Sequence, residues 1–333
     1  MEEKYKDNKV CLIFRKSRKE FNSIENVFNT LFPFLDCIKV ELPNDSIGLF
    51  PRLKNIIAIL KLNVPVIHIT GHDHYLLWFR YDKKTVLTIH DIESLKRKKG
   101  FKRTIFKFLW FDLPIRNADV ITTISEFSRR EIVSICNTRK SIQVIPNPTS
   151  LPILKTEYLF NNSCPRILHI GVKDNKNLKR TIRALKGISC KLIIIGLLPK
   201  KIEDLLIDCK TNYETKNNLT TEEMIEEYKS CDLLSFVSTY EGFGLPILEA
   251  QAAGKPILTS SVSSMPEVGG EGAIYVDPYS VDKIREGFIK LFENQKLRND
   301  IVAKGYYNVK RFSPEEISIR YKTLYNALIV NGI

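Results

Sequence analysis

Glu241 and Glu249 bracket seven residues, Gly-Phe-Gly-Leu-Pro-Ile-Leu. A carboxylate accepts two hydrogen bonds from adjacent hydroxyls, the arrangement that a ribose diol offers, and Glu249, placed on the first turn of a helix, suits that task. Glu241, a loop-width away, suits the hydroxyls of a second sugar. Between them, Gly242 and Gly244 open the backbone at a helix N-terminus, where bare N–H groups and the helix dipole attract an anion such as a diphosphate. Two carboxylates around a phosphate-binding loop describe a nucleotide sugar. A second reading needs no ligand: Glu249 complements the helix dipole and Glu241 is a solvated loop residue. The Gly-Phe-Gly-Leu-Pro insert favours the first.

The elements around this stretch must hold it in place. A strand is expected over 232 to 237, and the next helix carries Pro246 in its first turn, where a missing N–H is harmless. Gly254, just before Lys255-Pro256, ends that helix. A diphosphate leaving a sugar gains negative charge, so a site without a metal needs fixed cations aimed at it. The segment Gly171-Val-Lys-Asp-Asn-Lys-Asn follows an expected strand at 166 to 170 and offers Lys173 and Lys176. Each lysine taken singly is equally well an exposed helix-start residue. His90-Asp91 ends a strand at 85 to 90, a position where a lone histidine is more often a hydrogen-bonded structural residue. His72, Asp73 and His74 share another strand-end loop. A metal reading of His-x-His finds no third ligand at recognisable spacing, so no metal is expected.

These strand ends belong to two rounds of strand–helix alternation, the pattern of parallel sheets covered by helices. In the first round, strands are expected near 10 to 14, 37 to 42, 64 to 70, 85 to 90, 119 to 124 and 142 to 146. A helix starts at Ser-Glu-Phe-Ser-Arg-Arg-Glu-Ile, with Ser125 as its cap and Ser128/Glu131 as a capping box. Periodicity breaks over the proline-rich residues 146 to 165. The second round places strands near 166 to 170, 191 to 195, 232 to 237, 256 to 259 and 273 to 276, and a last helix over 314 to 330. The fold expected is α/β, two doubly wound Rossmann-like domains facing across a cleft that holds the site. Residues 1–147 form one domain, 148–165 the linker and 166–333 the other.

At 333 residues, 44% hydrophobic and 27% charged, the chain reads as a soluble globular protein. Its longest apolar runs, such as 192 to 198, fall short of the roughly 18 residues that a spanning helix needs. The N-terminus lacks an export signal, so a cytoplasmic location is expected. Seven scattered cysteines without a CxxC pair argue against a disulfide framework.

The net charge of +13 implies an anionic partner: a phosphorylated substrate, a membrane surface or nucleic acid. No recognisable nucleic-acid motif is present. The densest basic cluster, 95 to 111, interleaves lysine and arginine with Phe106, Phe108, Leu109 and Trp110, a mixture that suits an anionic membrane surface. A solvated basic helix with an apolar core face explains it equally. The loop at 14 to 25 brings Arg15, Lys16, Arg18 and Lys19 to the strand ends, either for a phosphate-bearing acceptor or as a solvated loop with Asn22 and Glu25 forming a capping box.

Glu241 to Glu249 resembles the Glu-x7-Glu motif of the family 4 glycosyltransferases, retaining enzymes with the two-domain GT-B fold. The resemblance extends over 254 to 278, Tyr-Lys-Ser-Cys-Asp-Leu-Leu-Ser-Phe-Val-Ser before the motif, and 167 to 185. It implies that Glu241 contacts a donor hexose, Glu249 binds the ribose, and the amides around Phe243, Gly244 and Leu245 hold the diphosphate. Gly171 and Lys176 match the family's glycine and lysine, whereas Val172-Lys173 stands where an arginine is usual. His90 matches a histidine beside the donor sugar. Arg15, Lys16, His72, His74 and Asp91 fall on the acceptor side.

The activity implied is hexose transfer without a cofactor, from a UDP-sugar or GDP-sugar to a lipid-linked or saccharide acceptor, in surface polysaccharide assembly at the inner face of a membrane. The last helix is expected to cross back to the first domain. An epimerase or hydrolase of the same fold, or an inert sugar-nucleotide-binding subunit, remains open beside it.

Overall fold

The computed structural model describes residues 10–16, 23–136, 138–154 and 159–330. Arg18, Lys19 and Asn22 lie outside the described residues. The chain divides into two units, Met1–Pro148 with Ser313–Ile333, and Thr149–Phe312.

The first unit opens with β1 (Val10–Phe14), α1 (Ser23–Leu31), β2 (Ile38–Glu41), α2 (Leu49–Leu60) and β3 (Val66–Ile69). It continues through β4 (Lys84–Ile89), α3 (Glu93–Lys96), α4 (Gly100–Lys107), α5 (Leu113–Asn117), β5 (Val120–Thr123), α6 (Glu126–Cys136) and β6 (Ile142–Val144). All six strands are parallel, in the order β2-β1-β3-β4-β5-β6. Their apolar, β-branched runs are buried under helices, as parallel sheets require.

The second unit contains β7 (Arg166–Ile170), α7 (Leu178–Leu185), β8 (Lys191–Ile195), α8 (Lys200–Asp208), β9 (Tyr213–Lys216) and α9 (Thr221–Ser230). After these come β10 (Leu233–Phe236), α10 (Leu245–Ala252), β11 (Ile257–Ser260), α11 (Met265–Gly269), β12 (Ile274–Val276), α12 (Val281–Glu293) and α13 (Gln295–Val309). Its parallel sheet runs β12-β11-β10-β7-β8-β9. In each sheet the chain builds outward on one side and then returns to the other. That leaves a switch point between β1 and β3 and another between β10 and β7, where crevices open at the strand C-termini.

The sequence reading misses β9. Its residues, Tyr-Glu-Thr-Lys, carry no apolar alternation because it is an edge strand, anchored by ion pairs from Glu214 to Lys191 (2.7 Å) and Lys216 (3.2 Å). The start of α6 falls where Ser125 was expected to cap it, but the expected capping box does not form. It begins at Glu126, so Ser125 caps it by accepting from the Ser128 amide (3.0 Å). Ser128 is therefore inside the helix and not the head of a capping box; its hydroxyl donates to the His90 carbonyl (3.2 Å).

Residues 149–154, within the expected linker, pack as part of the second unit: the Thr149 amide donates to Phe312 O (2.8 Å) and the Leu154 amide to Ala252 O (2.7 Å). The last helix, α14 (Pro314–Val330), belongs to the first unit. It is fastened there through His68 on β3, whose ring nitrogens meet Tyr325 OH at 2.7 Å and Thr88 Oγ1 at 2.6 Å, with Phe28 and Tyr321 packed around the ring.

Candidate functional site

In the second unit, the loops that follow β7 and β10 meet at the switch point. Gly171 ends β7 at φ +91°, and a Cβ there would lie 2.9 Å from Lys176 Cγ, so a glycine lets the lysine stem fold back over the strand end. The expected helix start is instead a 3-10 turn over Asp174–Lys176, followed by Asn177 in the left-handed conformation and then α7. The buried Asn177 side chain explains the turn: its amide donates to Val237 O (3.0 Å) and Pro278 O (2.7 Å), tying the β7 loop to the β10 loop.

That turn aims Lys176 at Glu241. The ammonium donates to Glu241 Oε1 at 2.8 Å and sits 4.8 Å from the centre of the Phe236 ring. Asn175 donates to Tyr240 O (3.0 Å), and its own carbonyl accepts from the Thr239 amide (2.8 Å). Lys173 is exposed and, among the described residues, has no ion-pair partner and no part in this cluster.

Two serines fix the other side of Glu241. The Ser263 hydroxyl accepts from the Glu241 amide (3.0 Å) and donates to its carbonyl (2.7 Å), while Ser264 donates to Phe243 O (2.6 Å). Ser263 holds φ +63° to do so, a conformation that a non-glycine residue rarely adopts without a fixing contact. The result is a motif loop clamped from both flanks. Gly244 caps α10 at φ +114°, with Pro246 inside the first turn. Among the described residues, the amides of Phe243, Gly244 and Leu245 meet no acceptor, so three donors stand at the helix N-terminus.

Glu249 lies one residue beyond the first turn of α10, not within it, because the helix begins at Leu245. There the helix dipole contributes little, and two hydroxyls account for the carboxylate instead. Tyr228, buried on α9, donates to Oε2 at 2.5 Å, and Ser150 donates to Oε1 at 2.6 Å. Burial and the adjacent Glu249 charge push the Tyr228 phenol well above its ordinary range, so it remains a donor. Ser150, Asn175, Tyr228, Ser263 and Ser264 escape the sequence reading. The available signal was the polar run 259–264 between a strand and a helix, where a hydrophilic stretch at strand ends faces a crevice.

In the first unit, His90 is buried at the end of β4 and donates from Nε2 to Thr70 O (2.7 Å), leaving Nδ1 as its acceptor. Burial, and secondarily His72, push its pKa down to about 4, so the ring is neutral. His72 is exposed, with its ring 5.9 Å from His90 and 6.2 Å from His74. His74 is buried, donates to Trp110 O (2.7 Å) and is held neutral by burial. Asp73 is also buried and accepts from Ser46; desolvation raises its pKa. Arg15 pairs with Glu25, and Lys16 is exposed beside it. Asp91 accepts from the amide of Glu93 (2.8 Å), the first residue of α3. Among the described residues, no three His, Cys, Asp or Glu side chains converge on a metal-sized point.

Each half of the chain matches a family model: Glycosyltransferase Family 4 over residues 9–151 and Glycosyl transferases group 1 over residues 154–307. The chain belongs to the family 4 glycosyltransferases, and its two sheets have the GT-B fold. The Escherichia coli O-antigen chain mannosyltransferase B is 27% identical over 274 residues, covering 74% of this chain and 71% of the relative. An uncharacterized glycosyltransferase of Methanocaldococcus jannaschii is 25% identical over 313 residues, 86% of each chain. Among solved structures, Anabaena HepE in complex with UDP and glucose aligns with a TM-score of 0.79 at 14% identity, covering 96% of this chain and 100% of that one.

Proposed function

We propose that this glycosyltransferase moves a hexose from a UDP-sugar or GDP-sugar to a lipid-linked or saccharide acceptor, with retention at the anomeric carbon and without a metal. The observation that carries the reading is the Lys176–Glu241 pair beside three amides that meet no acceptor among the described residues, with Glu249 one turn further on. Anabaena HepE, crystallised with UDP and glucose, supports a nucleotide-sugar donor, and the E. coli relative makes mannose the first hexose to test.

In this reading Glu249 takes the ribose hydroxyls, exchanging its contact with the exposed Ser150, while Tyr228 holds the other carboxylate oxygen. The amides of Phe243, Gly244 and Leu245 bind the diphosphate. Lys176 offsets the charge that grows on it as the sugar bond breaks. Glu241 aligns the hexose hydroxyls and stabilises the oxocarbenium-like sugar, and His90 is the residue of the first unit assigned to the same sugar. The departing diphosphate oxygen takes the proton of the incoming hydroxyl on the same face, so no side chain serves as base. Lys173, Gly171, Arg15, Lys16, His72, His74 and Asp91 keep the donor-side and acceptor-side places that the family resemblance implies.

The setting proposed is surface polysaccharide assembly at the cytoplasmic face of a membrane. Among the described residues no helix is long and apolar enough to cross one. Incubation with UDP- or GDP-hexose and a panel of glycolipid and saccharide acceptors, read by proton NMR of the new anomeric centre, tests the reading. The expected product retains the donor's configuration. Inversion removes the mechanism; sugar release or epimerisation without acceptor favours a hydrolase or epimerase.

A further inference from the structure

Lys255 is a buried lysine, 4% exposed, in the segment that leaves α10. Both helices that carry the Glu249–Tyr228 contact end on it. Its amide donates to Ala250 O (2.9 Å), closing the last turn of α10, and its ammonium donates to Lys229 O (2.8 Å), in the last turn of α9. Lys229 follows Tyr228 in the chain. A ring is closed in this way: Glu249 to Lys255 along α10, Lys255 to Lys229 through the ammonium, Lys229 to Tyr228 along the backbone, and Tyr228 back to Glu249 through its hydroxyl (2.5 Å).

A helix C-terminus gathers the negative ends of peptide dipoles, so a cation is stabilised there. The same ammonium is drawn out of water, and burial lowers its pKa from the ordinary lysine value against the opposing effects of Cys231 and Asp232. Ending a helix needs no buried charge. A glycine in the left-handed conformation does it, and Gly254 already stands at φ +66° at the end of α10. What the lysine adds is reach, from the exit of α10 across to α9. Glu227, the residue before Tyr228, is held separately by Lys216 and Arg166, so Tyr228 is anchored through both of its neighbours.

We propose that Lys255 is a positioning residue for the donor: by tying the C-terminal ends of α9 and α10 together, it sets where the Tyr228 hydroxyl meets Glu249, and so how well that carboxylate takes the ribose diol. This rests on the glycosyltransferase reading above, in which Glu249 binds the ribose. Lys255 itself meets no part of the donor. Its effect passes through Tyr228.

The test titrates whichever of UDP and GDP stabilises the wild type, and the dideoxy analogue lacking both ribose hydroxyls, into the wild type, Lys255→Met, Tyr228→Phe and the double variant. Methionine keeps the apolar stem and removes the donor. Lys255→Met is expected to bind the natural nucleotide about tenfold more weakly than the wild type does. It is expected to bind the analogue as the wild type does, because the analogue has lost the hydroxyls that Glu249 takes. In the Tyr228→Phe background the same substitution is expected to change affinity by less than about twofold, since the contact through which it acts is gone. Lys255→Met also strips Lys229 O of a donor and lowers the melting temperature, so binding is measured well below it. If that variant does not fold, Lys255→Gln, a shorter and neutral donor, carries the same comparison.

Unchanged affinity for both ligands, an equal loss for both, or a full effect in the Tyr228→Phe background overturns the positioning role and leaves the donor site standing. A wild type that neither nucleotide stabilises, or one that binds nucleotide and analogue equally, removes the ribose assignment of Glu249 and this inference with it.

Discussion

Tyr228 and Lys176 do different work on the two motif glutamates, and substitution separates them. Tyr228→Phe removes the donor from Glu249 Oε2 and leaves a part-buried carboxylate oxygen with one partner fewer. A cost of about 1–3 kcal/mol in stability is expected, with weaker nucleotide binding, read by urea unfolding and by titration with UDP or GDP. Unchanged nucleotide affinity would make Tyr228 a packing residue only. Lys176→Met removes the cation facing Glu241. Since its proposed partner charge grows only as the sugar bond breaks, kcat is expected to fall about 10²–10³-fold with a smaller change in KM. A rise in KM at constant kcat would place Lys176 in ground-state binding.

At this scale the sequence was only partly legible. Glu241, Lys176 and the glycines announce themselves because types and spacing carry chemistry. Tyr228 and Ser150 do not: a hydroxyl 21 or 99 residues from Glu249 becomes its partner only once the strands are stacked.

The loop between β10 and α10 works through a backbone shape that a single Cβ would disturb. Gly244 sits at φ +114°, which an L side chain rarely adopts, although an added Cβ would meet Ile247 at 3.4 Å and Phe236 at 3.5 Å in ordinary van der Waals contact. Gly244→Ala is expected to cost about 1–3 kcal/mol and to weaken nucleotide binding by distorting the loop that carries the three amides. Thermal melts with and without nucleotide should show both effects; a variant that melts lower but keeps its full nucleotide response would separate the fold from the anion site.

Elements were more legible than side-chain partners. Buried parallel strands need continuous apolar, β-branched runs, so 166–170 and 191–195 coincide with β7 and β8 to the residue. The edge strand β9 lacked that signal, and its ion pairs to β8 and within the strand were not readable from spacing. The start of α10 at Leu245 put Glu249 one residue outside the first turn, a shift of the size that helix boundaries commonly show.

Across the whole molecule, four of the five histidines are buried, and burial holds His68, His74 and His169 neutral down to about 3 and His90 to about 4. An unfolded chain protonates these rings below about 6.5, so between roughly 6.5 and 4 the unfolded state binds more protons than the folded one. Stability is therefore expected to fall as pH drops through that window, by about 1.4 kcal/mol per pH unit for each buried ring. Urea midpoints across the range, for the wild type and His68→Phe, should show a shallower slope in the variant; equal slopes would mean that His68 does not carry this linkage. Tyr325→Phe strips His68 of its link to α14 and is expected to lower stability by about 1–3 kcal/mol through the first unit.

The division into two α/β halves was legible from the two rounds of alternation and the proline-rich break. Ser313–Ile333 belongs with the first unit, as expected of the last helix, but the His68–Tyr325 contact that fastens it, 257 residues apart, is one that no local pattern encodes.

The most direct measurement is a thermal shift against UDP, GDP, ADP and CMP, with Glu249→Ala alongside the wild type. A nucleoside diphosphate at about 100 times its Kd adds roughly 2.7 kcal/mol to the folded state. UDP or GDP is expected to raise the wild-type Tm and to leave Glu249→Ala nearly unmoved. A wild type indifferent to all four nucleotides, or a variant that responds as strongly as the wild type, would contradict the assignment of the Glu241–Glu249 loop as the donor site.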